Sequence, residues 1–148
     1  MTGRLYLDTG ALVKLYIAEN GSEWVQRHCQ QGQALLLCPL QLVELRNAIL
    51  AAAGRNIISD KAMQTTLRHL DQDLADGIFK SFQPNWLHVW QRADSLARQY
   101  TPKLLCRTLD ILHVAIAESE RADLLITGDK RQYALCKKTG IRVKQIPQ

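Results

Sequence analysis

Short, uninterrupted apolar segments alternate with amphipathic stretches along this chain, and that alternation limits its fold more than any other feature. Residues 4–8 (RLYLD), 34–38 (ALLLC) and 124–127 (LLIT) read as strands buried on both faces, and 141–146 (IRVKQI) as a last strand. Between them the apolar residues recur at helical spacing. Thr9 to Ile17 carries Leu12, Leu15 and Tyr16 on one side, and Ser22 is placed to cap a second helix with Trp24, Val25 and Cys29 inward. Pro39 suits the first turn of a helix running from about Leu40 to Ala53 and closed by Gly54. Another helix begins near Ser59 or Asp60, with Met63, Leu67, Leu70 and Leu74 in register. Residues 77–85 break the pattern and leave room for an extended piece. Trp86, Val89, Trp90, Ala93, Leu96, Ala97 and Tyr100 then trace one helix face. Residues 108–120 are apolar nearly all round, which predicts a central helix, and Lys130 to Lys138 predicts a helix ending at Gly140.

Strands alternating with helices imply an α/β architecture with a mainly parallel central sheet flanked by helices. With no internal repeat, low-complexity tract or long linker, residues 1–148 are expected to form a single domain. In such sheets the ligand crevice lies beyond the carboxyl ends of the strands.

Composition narrows the class. A hydrophobic content of 47% with 22% charged residues is globular and argues against a disordered chain. The start of the sequence lacks a signal-peptide pattern, and no apolar run approaches the roughly 20 residues of a membrane span. A soluble, cytoplasmic protein is expected. The four cysteines (29, 38, 106 and 136) show no zinc or Cys-x-x-Cys spacing and are read as reduced thiols. The net charge of +5 makes an acidic polymer such as RNA a natural partner, although that excess alone is weak support.

Four acids stand where such a chain turns or packs: Asp8, Glu44, Asp110 and Asp129. Taken singly, Asp8 and Asp129 fit helix N-caps. Asp110 fits the first turn of a helix whose expected cap is Thr108. Glu44 is harder to explain, because it lies inside the apolar run Leu40 to Leu45 and must snorkel, pair with a base such as Arg46, or bind a metal. Gathered in one crevice, such groups carry a cost. Two carboxylates ~4 Å apart repel by about 4 kcal/mol at an effective dielectric near 20, and a bound divalent cation reverses that sign. Hard cations take oxygen ligands and can activate water against a phosphodiester. Lys14, Arg46, Arg107, Lys130 and Arg131 lie near the acids in sequence and are candidate phosphate contacts. His113, one turn after Asp110, is read first as a core histidine bonded to backbone, and second as a substrate or supporting contact.

The phrases around these acids resemble those of PIN-domain ribonucleases, especially VapC-type toxins of bacterial toxin–antitoxin pairs. The matching segments are residues 7–16 (LDTGALVKLY), 43–45 (VEL), 107–113 (RTLDILH) and 127–132 (TGDKRQ), in the family's order. The resemblance implies that Asp8, Glu44, Asp110 and Asp129 form an acidic Mg²⁺ centre, with Mn²⁺ as a substitute, and that Thr127 holds a carboxylate or water. It also implies cleavage of single-stranded RNA, a homodimer, and inhibition by a cognate antitoxin. Gly10 departs from the family's common serine. Other readings stay open: an inert RNA- or protein-binding α/β module, a haloacid-dehalogenase-like phosphohydrolase, or a phospho-receiver domain. Gly10, two positions after Asp8, lacks the second acid that the phosphohydrolase needs.

Overall fold

The computed structural model describes residues 3–148. The strands are β1 (Arg4–Leu7), β2 (Ala34–Leu37), β3 (Phe79–Ser81), β4 (Leu124–Thr127) and β5 (Val143–Gln145). The helices are α1 (Thr9–Tyr16), α2 (Ser22–Cys29), α3 (Pro39–Gly54), α4 (Asp60–Ala75), α5 (Trp86–Leu104), α6 (Thr108–Ser119) and α7 (Lys130–Thr139). The extended piece in residues 77–85 is β3.

All neighbouring strands run parallel, in the order β3-β2-β1-β4-β5. The central strands are buried on both faces, as their unbroken apolar runs require. Successive side chains alternate between two cores. Leu5, Leu7, Leu35, Leu37 and Ile126 face α1, α3 and α4, where Leu12, Leu45, Ile49 and Leu70 meet them. Tyr6, Leu36 and Leu125 face the opposite way, toward Val89, Leu96, Ile116 and Leu135 of α5, α6 and α7. Helix α6 is central as expected, with Asp110 to Ala117 all buried.

The strand order fixes where chemistry can sit. The chain moves outward in one direction through β1, β2 and β3, then returns to pair β4 on the other side of β1. Helices leaving β1 and β4 therefore diverge, and a crevice opens beyond the carboxyl ends of these two strands. Asp8 follows β1 and Asp129 follows β4 by two residues.

Three expectations change. Ser22 does not cap α2: the cap is Gly21, left-handed at φ 92°. A Cβ there would lie 2.8 Å from Ile146, so glycine is required, and the Ser22 hydroxyl turns back to the Ile17 carbonyl. Arg107, not Thr108, is the N-cap of α6, and it makes no side-chain capping bond. Trp90 is 54% exposed rather than inward, and stacks on Trp86 with ring centroids 5.3 Å apart.

Candidate active site

Each acid is positioned by a local rule of helix or strand geometry. Asp8 caps α1. Its Oδ1 accepts the Ala11 backbone N–H at 2.8 Å, and its Oδ2 accepts the Thr127 hydroxyl. Burial pushes the Asp8 carboxyl above its ordinary value, while the bonds from Thr127 and Ala11 and the nearby His113 pull it back down. Asp129 caps α7 through the Gln132 backbone N–H at 2.8 Å. Thr127, fully buried, joins the two: its hydroxyl donates to Asp8 and accepts the Asp129 backbone N–H at 2.9 Å.

Asp110 lies in the first turn of α6. Arg107 spans the gap between it and Asp129, with Nε 3.3 Å from Asp110 Oδ2 and Nη2 3.0 Å from Asp129 Oδ2. This guanidinium is 69% exposed, so the pairing is solvated and replaceable.

Glu44 approaches from α3, across the crevice. Its Oε1 lies 2.7 Å from His113 Nε2. The contact is within ion-pair reach but is not aligned as a hydrogen bond, and Oε1 is buried without a hydrogen-bond partner among the described residues. His113 Nδ1 is 2.7 Å from the Tyr6 hydroxyl. Burial pushes Tyr6 far up from its usual value, so its hydroxyl stays neutral. The Tyr6 bond engages Nδ1 and leaves Nε2 turned toward Glu44 and the Thr9 hydroxyl, 3.5 Å away. The sequence reading of His113 as a backbone-bonded core residue is thereby replaced: its hydrogen-bond partners are the side chains of Tyr6 and Thr9, with Glu44 within ion-pair distance. The base expected for Glu44, Arg46, pairs instead with Asp71 at 2.8 Å.

All four acids line one cleft of about 620 Å³, together with Lys14, Glu19, Arg107 and His113. Of the candidate basic residues, Lys14 and Arg107 reach this cleft; Arg46, Lys130 and Arg131 do not line it. Glu19, unremarked in the sequence, pairs with Lys14 at 2.9 Å on the rim. Two buried glutamines also escaped notice. Gln41 donates to the Leu7 carbonyl at 2.8 Å and accepts the Cys38 N–H at 2.9 Å, tying α3 to the end of β1. Gln132 donates to the Asp110 carbonyl at 3.2 Å, tying α7 to α6. Each occupies the third position of its helix, so the signal was a glutamine three residues after a cap.

Among the described residues, no three carboxylate, imidazole or thiolate groups lie close enough to hold a metal between them. A hard cation that keeps its waters needs only one or two direct carboxylates. The unpartnered Glu44 Oε1 and the acid pair already drawing a cationic side chain fit such an ion. At Gly10 a Cβ would meet Asp8 Oδ1 at 3.7 Å, an ordinary contact, so the missing serine reflects no steric demand.

A model of the PIN domain matches residues 5–138. The chain belongs to the PIN domain family. Over 141 residues it is 30% identical to Ribonuclease VapC46 of Mycobacterium tuberculosis (strain ATCC 25618 / H37Rv), covering 94% of this chain and 95% of that one. Solved structures share the PIN fold at lower identity. VapBC2 from Rickettsia felis, bound to a DNA fragment from its promoter, superposes with a TM-score of 0.68 at 13% identity, covering 97% of this chain and 99% of the other. FitAcB from Neisseria gonorrhoeae gives 0.66 at 16%, over 94% and 95%. VapBC-1 from nontypeable Haemophilus influenzae gives 0.64 at 18%, over 98% and 99%. PIN-domain nucleases generally use a divalent metal, which accords with the chemistry of this cleft.

Proposed function

We propose that the chain is a Mg²⁺-dependent endoribonuclease that cuts single-stranded RNA and acts as the toxin of a toxin–antitoxin pair. The observation that carries this reading is the meeting of Asp8, Glu44, Asp110 and Asp129 in one cleft at the reversal of strand order, in a PIN-family chain. These four acids would hold the ion, in part through water, with Mn²⁺ able to replace Mg²⁺. The bound ion supplies activation of water and neutralisation of charge on the phosphodiester. Thr127 fixes the Asp8 carboxylate, and Tyr6 holds the His113 ring beside Glu44. Lys14 and Arg107 on the cleft wall attract the phosphate.

The toxin role draws on the relatives, whose solved forms include VapBC and FitAcB proteins. A cognate antitoxin would inhibit by covering the acidic cleft, and the active form would be a homodimer in the cytoplasm. No helix among the described residues is long and apolar enough to cross a membrane.

The test is cleavage of a defined single-stranded RNA. Activity is expected to fall to background in EDTA and to return with excess Mg²⁺ or Mn²⁺. Cleavage that persists in EDTA contradicts the reading.

Arg107 gives a second expectation. Its guanidinium competes with a divalent ion for Asp110 and Asp129, so Arg107→Gln is expected to tighten Mn²⁺ binding about threefold, the scale of a solvated ion pair. Calorimetric titration without RNA measures this, and weaker binding by the variant counts against competition.

A further inference from the structure

The net charge of the chain is not spread over its surface. Residues 130–148 hold six basic side chains and no acid, whereas residues 1–129 hold 13 basic and 14 acidic ones. The whole positive excess therefore sits on α7, β5 and the turn between them. Lys130, Arg131, Lys137, Lys138, Arg142 and Lys144 are all exposed. None forms an ion pair among the described residues, where the other strong contacts consume Arg4, Lys14, Arg46, Arg92, Arg98 and Arg107.

The strip has a direction. Helix α7 starts at the cleft, where Gln132 lines the wall, and runs down the sheet for roughly 15 Å. Strand β5 returns parallel to β4, and Ile146 just beyond it lines the same cleft. Both ends of this basic segment therefore open on the acidic site.

We propose that α7 and β5 form the track for the flanking part of an RNA strand whose reacting phosphodiester lies in the cleft. This rests on the ribonuclease reading and extends it to the course of the substrate. A polyanion fits the strip better than a protein does. No large apolar side chain in residues 130–148 is exposed, whereas the exposed ones (Val43, Leu50, Leu87 and Trp90 among them) lie on other elements. A protein interface needs an apolar centre, while a phosphate track needs only unpaired cations. Such a track reads charge and length, not base sequence.

The experiment joins Lys137→Gln, Lys138→Gln, Arg142→Gln and Lys144→Gln in one chain. These positions are exposed and remote from the fixed polar bonds of the cleft, and circular dichroism checks the fold. Binding is measured in an Asp110→Asn background, with a 12-nucleotide RNA across a salt series. Each lost phosphate contact on a single strand removes about 0.7 from the slope of log affinity against log salt. The four changes are expected to lower that slope by about 2 to 3 and to weaken binding at least tenfold at about 0.1 M salt. In the active background the loss is expected in KM rather than kcat, shrinking as the RNA is shortened toward two nucleotides. Unchanged slope and KM, with wild-type RNA cleavage intact, overturn the track and spare the ribonuclease reading. Loss of antitoxin binding with RNA binding unchanged also overturns it and makes the strip a protein surface. A wild-type chain that cuts no RNA overturns both.

Discussion

Replacing Asp110 by Asn is expected to lower RNA cleavage by at least about a hundredfold while leaving the fold unchanged. Disturbing the partners of metal ligands already costs 10–100-fold in related chemistry, so loss of an anionic ligand costs more. The fold is spared because the structural tie of Asp110 runs through its backbone: Gln132 binds the Asp110 carbonyl oxygen, not its carboxylate. Asp8→Asn is expected to be equally inactive and, in EDTA, more stable. Burial and the charge of Asp129 raise the folded-state Asp8 carboxyl above its unfolded value. Between those two values the folded state binds more protons, so stability rises as pH falls from the folded value toward the unfolded one, and it is diminished above the folded value. Asparagine removes the buried charge and keeps a good N-cap. A gain on the order of 1 kcal/mol is typical where a site trades stability for function. Thermal unfolding of both proteins in EDTA at neutral pH and at about pH 4 measures it, and the gain should shrink at the lower pH. A variant that cuts RNA at the wild-type rate contradicts the assigned role.

Gln41→Ala should cause the largest loss of stability from any polar residue near the cleft. The side chain is fully buried and makes both of its hydrogen bonds to backbone, at Leu7 and Cys38. Truncation strands a buried carbonyl and a buried N–H, each worth about 1–3 kcal/mol, for a total of about 3 kcal/mol. In a chain of this size that lowers Tm by about 6–12 °C. Glu44 lies less than one turn further along α3, so its placement relative to Asp8 loosens and cleavage falls as well. A Tm within 2 °C of wild type, on the order of 0.5 kcal/mol or less, removes Gln41 from the framework of the site.

The periods of the apolar residues carried most of the fold, because strands buried on both faces and one-sided helices leave different marks in sequence. Asp8 and Asp129 were legible for the same reason: each ends a strand and starts a helix. What the periods omit is set by long-range pairing. Glu44 and His113 lie on α3 and α6, and only the packing of both helices across the crevice brings them to 2.7 Å. Proximity in sequence misled for the basic residues. Two positions along a helix is about 200° of rotation, so Arg46 points away from Glu44 toward Asp71. Lys130 and Arg131 likewise turn to solvent where Gln132, the next residue, turns inward. Gln41 and Gln132 resemble ordinary first-turn residues, and only burial reveals the carbonyls they hold. Gly21 takes the cap position expected of Ser22, and its need for glycine comes from Ile146 at the far end of the chain, which no local pattern shows.

The central claim is that the acids following β1 and β4 and those on α3 and α6 act as one metal centre. Calorimetric titration of Mn²⁺ into the wild type, Glu44→Gln and Asp110→Asn tests it most directly, because Glu44 reaches the cleft from the opposite side. Binding by the wild type, weakened more than tenfold by either substitution, is the predicted result. No binding by the wild type, or equal affinity in all three proteins, contradicts it.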